Sequence, residues 1–354
     1  MLAAQRADAA AVGQDASARA VHVAADEELR RGSVPDLDEN ESAPAVHRDV
    51  LAFGYLDAMT SEKRRARLLV VDLDDTIWTW FDAWHSSFSE LLRVTSELSG
   101  ISTTELKRAI RPIHQRHGTS EYSWLLDELD QLGDLVPAGT TVAEYFDPAL
   151  HAQNHARKVT TQLYPGVRET LTYLRDNGTT VVAYTESLAF WTRWRIQQTS
   201  LDGLISELYS SPDHDTPDGV DLESRRTLPS EEYELHSTEH RHVPAGIVKP
   251  NPSILQQILD DHAVPASEAV YVGDSVMKDV AMAQRVGAID VLAAYGVKTN
   301  DPRYRLLQDV SHWPDSTVAK EQDKSPGVHP TPTLVLSRGL SDILDYVAFG
   351  RTVA

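Results

Sequence analysis

The chain has 354 residues, 41% hydrophobic and 24% charged, ordinary proportions for a globular protein built as a core domain with an insertion or appendage. Its 33 basic and 53 acidic residues leave a formal charge of −20, a surface that repels nucleic-acid backbones and anionic membranes. With no cysteine, disulfides, thiol nucleophiles and cysteine-ligated zinc are excluded.

Residues 1–64 are rich in Ala, Asp and Glu with little apolar periodicity, which predicts a largely disordered extension. Arg6 and Asp8 interrupt any signal-peptide core, and no uncharged apolar stretch reaches the roughly 18–20 residues that span a bilayer. The reading is a cytoplasmic protein with neither nucleic acid nor membrane as partner, and nothing indicates a protein partner. The short run Lys63, Arg64, Arg65 and Arg67 reads as a solvated flank.

From position 65 the pattern changes. Leu68–Val71 is a short apolar run ending in Asp72-Leu73-Asp74-Asp75-Thr76. In extended backbone, residues two apart project to the same side, so Asp72 and Asp74 can face one substrate. A carboxylate nucleophile beside a second carboxyl group suits phosphoryl transfer, one attacking phosphorus and the other moving protons.

Residues 81–163 carry apolar positions at helical spacing in Trp84–Leu98, Leu106–His114 and Tyr122–Leu129. That is too much chain for a crossover helix, so an inserted all-helical cap is expected. Trp78, Trp80 and Trp84 are expected to pack cap against core, and Arg116–Glu121 to form an ordinary turn between helices. Residues 164–354 then return to the core.

Strand-like runs at Thr180–Tyr184, Leu204–Leu208, Ala269–Val272 and Ala288–Leu292 alternate with helix-like Val167–Asp176, Leu188–Gln198, Ser253–Asp261 and Val276–Val286. The expectation is an α/β fold with a Rossmann-like, mainly parallel sheet. Thr333–Leu336 and Leu340–Val347 add a strand–helix pair at one edge. Residues 211–245 form a polar, acidic insertion; its His236, His240 and His242 read as scattered histidines in a solvated excursion rather than a metal site.

Three strands end alike, in Asp72, in Thr185, and through Gly273 in Asp274. Ligands of open α/β sheets sit beyond the carboxyl ends of the strands, so these groups are expected to converge. Asp279 adds another carboxylate. Like charges at about 4 Å repel by roughly 4 kcal/mol at an effective dielectric of 20, so the cluster calls for a cation. Oxygen ligands alone favour a hard ion, and Mg²⁺ is the usual companion of phosphate. Lys249 stands before Pro250, with Asn251-Pro252 as cap and first turn of a helix, a stiff mount for a positive charge. Thr185 offers a hydroxyl beside the backbone N–H groups of a helix start.

In this order, Asp72-x-Asp74-x-Thr76, a strand ending in Thr185, Lys249-Pro250-x-Pro252 and Gly273-Asp274-Ser275-x-x-x-Asp279 resemble the four motifs of the haloacid dehalogenase (HAD) superfamily. Tyr164-Pro165-Gly166-Val167 is similar to the return from cap to core in its phosphoglycolate-phosphatase-like branch. The resemblance implies that Asp72 is nucleophile and Mg²⁺ ligand, and that Asp74 is general acid/base and touches the metal through its carbonyl. It implies that Thr185 and Lys249 hold phosphate, that Asp274 ligates Mg²⁺ and that Asp279 supports Lys249 or the metal shell. The implied activity is hydrolysis of a small phosphorylated metabolite. Asp74 favours this over dehalogenation, because the family's dehalogenases lack that acid. A mutase-type phosphotransferase and a non-catalytic binding protein are the alternatives. Glu186, after Thr185, departs from the pattern and is expected to repel phosphate, point away or meet a cationic or hydroxyl-bearing substrate.

Overall fold

The computed structural model describes residues 63–213, 216–217, 229–316, 318 and 330–350. The expected extension over 1–64 lies outside the described residues as far as position 62, as does the middle of the 211–245 insertion.

Seven parallel strands form the main sheet: β2 (Leu68–Val71), β3 (Thr180–Leu188), β4 (Glu207–Ser211), β5 (Glu239–His242), β6 (Ala269–Gly273), β7 (Ile289–Ala293) and β8 (Leu334–Leu336). Their order is β5-β4-β3-β2-β6-β7-β8, the α/β Rossmann-like fold that the alternation predicts. The chain builds outward from β2 on one side, then returns to lay β6 against its other edge. That reversal opens a crevice at the carboxyl ends of β2 and β6.

β2 is buried along its whole length, and its side chains alternate between two cores. Leu69 and Val71 pack with Val181, Ala183, Val270 and Val272 on one face. Leu68 and Val70 pack with Val182, Tyr184, Ala269 and Tyr271 on the other. A parallel strand covered on both faces must be apolar throughout, so the first polar residue after it, Asp72, falls at the rim.

Helices α1 (Trp80–Ser99), α2 (Thr103–His117) and α3 (Asp147–Thr160) rise between β2 and β3, with two single turns at Asp130–Gly133 and Val142–Tyr145. Ser102 and Glu105 close a reciprocal capping box at the start of α2. The core helices are α4 (Val167–Asp176), α5 (Ala189–Gln198), α6 (Pro252–Asp261) and α7 (Ala281–Val286), and α8 (Tyr304–Val310) follows β7. Leu307 and Val310 of α8 join the apolar cluster of Phe81, Trp84, Phe88, Leu106 and Ile110. The sequence pattern assigns this stretch to the core, whereas its apolar side chains pack with the helices inserted after β2.

Other expectations shift. Tyr122–Leu129 is a run of turns closed by Asp127 N to Trp124 O and Leu129 N to Leu126 O, not a helix. Tyr122, Trp124, Leu125, Leu126 and Leu129 are all buried, while Asp127 is exposed. The strand expected at Leu204–Leu208 begins at Glu207: Gly203, at φ +83°, turns the chain while Leu204 and Ile205 fill the core beneath. Part of the polar insertion becomes β5, an edge strand whose exposure explains its polar sequence. Val276–Val286 opens with a π-turn over Val276–Val280 before α7. The basic flank contains β1 (Arg64–Ala66), paired with β9 (Val347–Phe349) in a separate two-stranded sheet. Leu340–Val347 is accordingly two short helical turns that end at this strand.

Candidate active site

Register sets the end of β2 level with Ala183 inside β3 and with Val272 near the end of β6. Val71 pairs with Ala183 on β3 and with Val272 on β6, and the Asp72 amide donates to the Val272 carbonyl at 2.8 Å. Lys249 arrives from the loop before α6, whose Asn251 side chain caps Ser253 and Ile254 with Pro252 in the first turn, as the sequence predicts. Its ammonium lies 2.6 Å from Asp72 Oδ1 and 3.0 Å from Asp279 Oδ1, with all three residues buried.

Asp279 is fixed on every side. Its Oδ1 also accepts from the Tyr271 hydroxyl at 3.1 Å, and Oδ2 from the Ser275 amide at 3.1 Å. A Cβ at Gly273 would overlap this carboxyl, which is why the strand ends in glycine. Asp274 completes the group: one carboxylate oxygen each from Asp72, Asp274 and Asp279 lies within 4.8 Å of the others.

Burial pushes the Asp72 carboxyl up to about 7; Lys249 opposes this while Asp279 adds to it. Asp274 is held well above the carboxylate range by burial and by Asp72 and Asp279. Burial works to lower Lys249, but Asp279 and Asp72 outweigh it and keep the ammonium well above its usual value. Two buried acids share one ammonium, and the half-buried Asp274 stands beside them. The all-oxygen donor set and the uncompensated negative charge fit a hard divalent cation.

Asp74 faces the cap side. Its Oδ1 accepts from Trp78 Nε1 at 2.6 Å, its Oδ2 from the Ser187 hydroxyl, and Arg195 Nη1 stands 3.8 Å away. Burial raises its carboxyl, against the pull of Arg195. Thr185 is buried, and its hydroxyl accepts from the Ser187 amide at 3.1 Å. It is not a strand terminus. β3 continues to Leu188 through an irregularity in which β3 advances four residues, Tyr184 to Leu188, while β4 advances two, Tyr209 to Ser211. This bulge lifts 185–187 out of the ladder, and α5 begins one residue later than expected.

Glu186 is engaged within the protein itself. Its carboxylate accepts from the Lys249 amide at 2.8 Å and from Lys278 Nζ at 2.6 Å. It anchors the lysine loop, and its charge is met by Lys278.

Sequence reasoning also missed Glu121, Arg157 and Arg195. Glu121, placed in an ordinary turn, binds Arg195 and accepts from Trp80 Nε1 at 3.0 Å, while its carbonyl accepts from Trp191 Nε1 at 3.0 Å. The available signal was α5 itself, where Arg193 and Arg195 are buried alongside Trp191 and Ile196 with no apolar stripe. The early tryptophans pack as foreseen: Trp78 is buried in the core, and Trp80 stacks on Trp84 at 6.1 Å. His240 bonds Ser210 at 2.8 Å, and among the described residues the histidines join no metal-ligand group.

Residues 66–287 match the family described as haloacid dehalogenase-like hydrolase. The chain belongs to the HAD-like hydrolases. Similar solved structures include a 2-haloacid dehalogenase from Pseudomonas syringae, 20% identical, covering 79% of this chain and 98% of that one at a TM-score of 0.43. A HAD phosphatase from Thermococcus onnurineus is 20% identical over 79% of this chain and 95% of its own, at 0.41. A haloacid dehalogenase-like family hydrolase from Xanthomonas campestris is 16% identical over 69% and 86%, at 0.42. No curated protein sequence matches significantly. No helix among the described residues of this HAD-like hydrolase is long and apolar enough to cross a membrane.

Proposed function

We propose that this HAD-like hydrolase is a phosphatase that releases phosphate from a small phosphomonoester through a phosphorylated Asp72. The observation that carries the reading is the buried Lys249 ammonium held between Asp72 and Asp279, with Asp274 beside them.

An Asp72 carboxylate oxygen attacks phosphorus and the ester P–O bond breaks, while Asp74 gives its proton to the departing alkoxide. Asp74 then takes a proton from a water that attacks the same phosphorus, the bond to Asp72 breaks, and phosphate leaves. The burial that raises the Asp74 carboxyl suits it to hold that proton. Ser187 can turn its hydroxyl from donor to acceptor as the proton arrives. Lys249 offsets charge on the phosphoryl oxygens, and Thr185 with the bulged 185–187 backbone offers donors to them. Asp72 and Asp274, with the Asp74 carbonyl, would hold Mg²⁺, which when bound offsets the clustered acids and polarises the phosphoryl group. Asp279 serves Lys249 rather than the substrate. The second acid, Asp74, supports phosphate over a halogenated acid as substrate.

Phosphate release from an aryl phosphate tests this. Asp72→Asn abolishes turnover with the fold intact, and chelation abolishes it until Mg²⁺ is returned. Release at the parent rate by the Asp72→Asn protein sinks the mechanism.

A further inference from the structure

Arg195 serves two carboxylates with one charge. Its side chain, 1% exposed, comes from α5; Nη2 binds Glu121 Oε1, while Nη1 stops 3.8 Å from Asp74 Oδ1. Charge-assisted N–H···O bonds settle at about 2.7–2.9 Å, so the gap to Asp74 is about one ångström too long for one. Neither Nη1 nor Nε has a hydrogen-bond partner. A buried cation with idle donors closes on the nearest carboxylate unless something holds it off.

What holds it is a turn clamped by three indoles. Trp80 Nε1 donates to Glu121 Oε2 at 3.0 Å, Trp191 Nε1 to the Glu121 carbonyl at 3.0 Å, and Trp84 Nε1 to the Ser120 carbonyl at 3.1 Å. Two of these indoles stand on α1 and the third on α5, so the Glu121 carboxylate is fixed from the inserted helices and from the core at once. Burial works to raise the Glu121 carboxyl, but Arg195 and then Arg157 outweigh it and keep the group below its usual range. Glu121 is therefore a full counter-charge to Arg195. Desolvation offsets most of the attraction in such a buried pair, so stability alone does not account for it.

We propose that Glu121 is a positioning residue that holds the Arg195 guanidinium off Asp74 and so leaves Asp74 free to face the departing oxygen of the ester. The proposal rests on the phosphatase reading and concerns its first step. Each Asp74 oxygen has one partner, Trp78 for Oδ1 and Ser187 for Oδ2, and keeps a second acceptor position open. Without the Glu121 charge, the planar fork of Arg195 moves onto Asp74 and fills those positions. Asp74 then no longer reaches the alkoxide to which it gives its proton as the ester P–O bond breaks. A leaving group stable as its anion needs no such proton, so the Glu121–Arg195 pair matters in proportion to the basicity of the leaving oxygen.

The test compares two esters of nearly equal size with Mg²⁺ present: para-nitrophenyl phosphate, which leaves as a stabilised phenolate, and para-nitrobenzyl phosphate, which leaves as an alkoxide. Phosphate release is followed as kcat/KM, which reports the first transfer whatever limits the second. The near-isosteric Glu121→Gln lowers it by about thirtyfold or more for the benzyl ester and by no more than about threefold for the phenyl ester. Removing the cation as well, with Arg195→Met in the same chain, restores about tenfold of the benzyl-ester rate. Melting curves and the phenyl-ester rate report that the variants are folded. Equal loss on both esters, or a double variant no faster than Glu121→Gln alone, overturns the proposal and leaves the phosphatase reading standing. No phosphate release from either ester by the parent overturns both.

Discussion

At Gly273 the absence of a side chain is a requirement of the residue six positions later, because the Asp279 carboxyl occupies the space a Cβ would need. Gly273→Ala therefore displaces Asp279 from Lys249. The expected result is a loss of about 2–4 kcal/mol in a denaturant titration, together with at least a tenfold fall in phosphate release. Glu186 gives a second prediction at this scale. Its carboxylate meets both the Lys249 amide and the Lys278 ammonium, so Glu186→Ala leaves a buried N–H and a cation unpaired. Stability falls by about 1–3 kcal/mol and activity by about tenfold; retention of full activity would show that the anchor is dispensable. The contrast between these residues shows what sequence can reveal. Asp72 is legible because it directly follows β2, and Asp274 and Asp279 because both follow β6 within a few residues. The partner of Glu186 is Lys278, 92 positions away, and no local pattern links the two.

Elements were legible where one rule acts alone. β2 and β6 are buried on both faces, so their apolar runs have one reading. Where two demands compete, the pattern misleads. Tyr122–Leu129 has apolar residues enough for a helix, but all are buried and the segment folds into turns. β3 looks finished at Tyr184 because its apolar run stops there at the bulged Thr185, Glu186 and Ser187, although the strand resumes at Leu188. α2 carries a pH prediction. His114 is fully buried, its Nδ1 bonds the Val310 carbonyl at 2.6 Å, and its Nε2 has no partner. Burial lowers its imidazole to about 4. Between about 4 and 6.5 the unfolded chain binds a proton at this site that the folded one refuses, so stability falls as pH drops through that window. The contribution at neutral pH, lost on acidification, is on the order of 2–3 kcal/mol. His312 and His240 are lowered in the same direction by burial. Replacing His114 by Gln should flatten the decline of Tm from pH 6.5 to 4; an unchanged slope would remove His114 from the account.

The whole molecule is held together by a segment whose role no motif announces. After β7 the chain crosses to the cap, where Lys107 pairs with Asp309 at 2.8 Å and Arg111 with Asp315 at 2.7 Å. Ser120 bonds His312 at 3.0 Å, and Leu307 and Val310 enter the cap's apolar cluster. On the other side Lys298 and Arg303 pair with Asp82 at 3.2 and 2.6 Å. These ion pairs are partly exposed and individually weak, so the double change Lys107→Ala, Arg111→Ala costs only about 1–3 °C in Tm. Its effect appears instead in local opening: amide hydrogen exchange within Tyr304–Val310 quickens by about tenfold, whereas unchanged exchange would mean the apolar contacts suffice.

The cap is thus tethered three times: by the chain leaving β2, by the chain returning before α4, and by this later crossing. A lid fastened at three points has less freedom to swing than one joined to the core by its two chain passages alone.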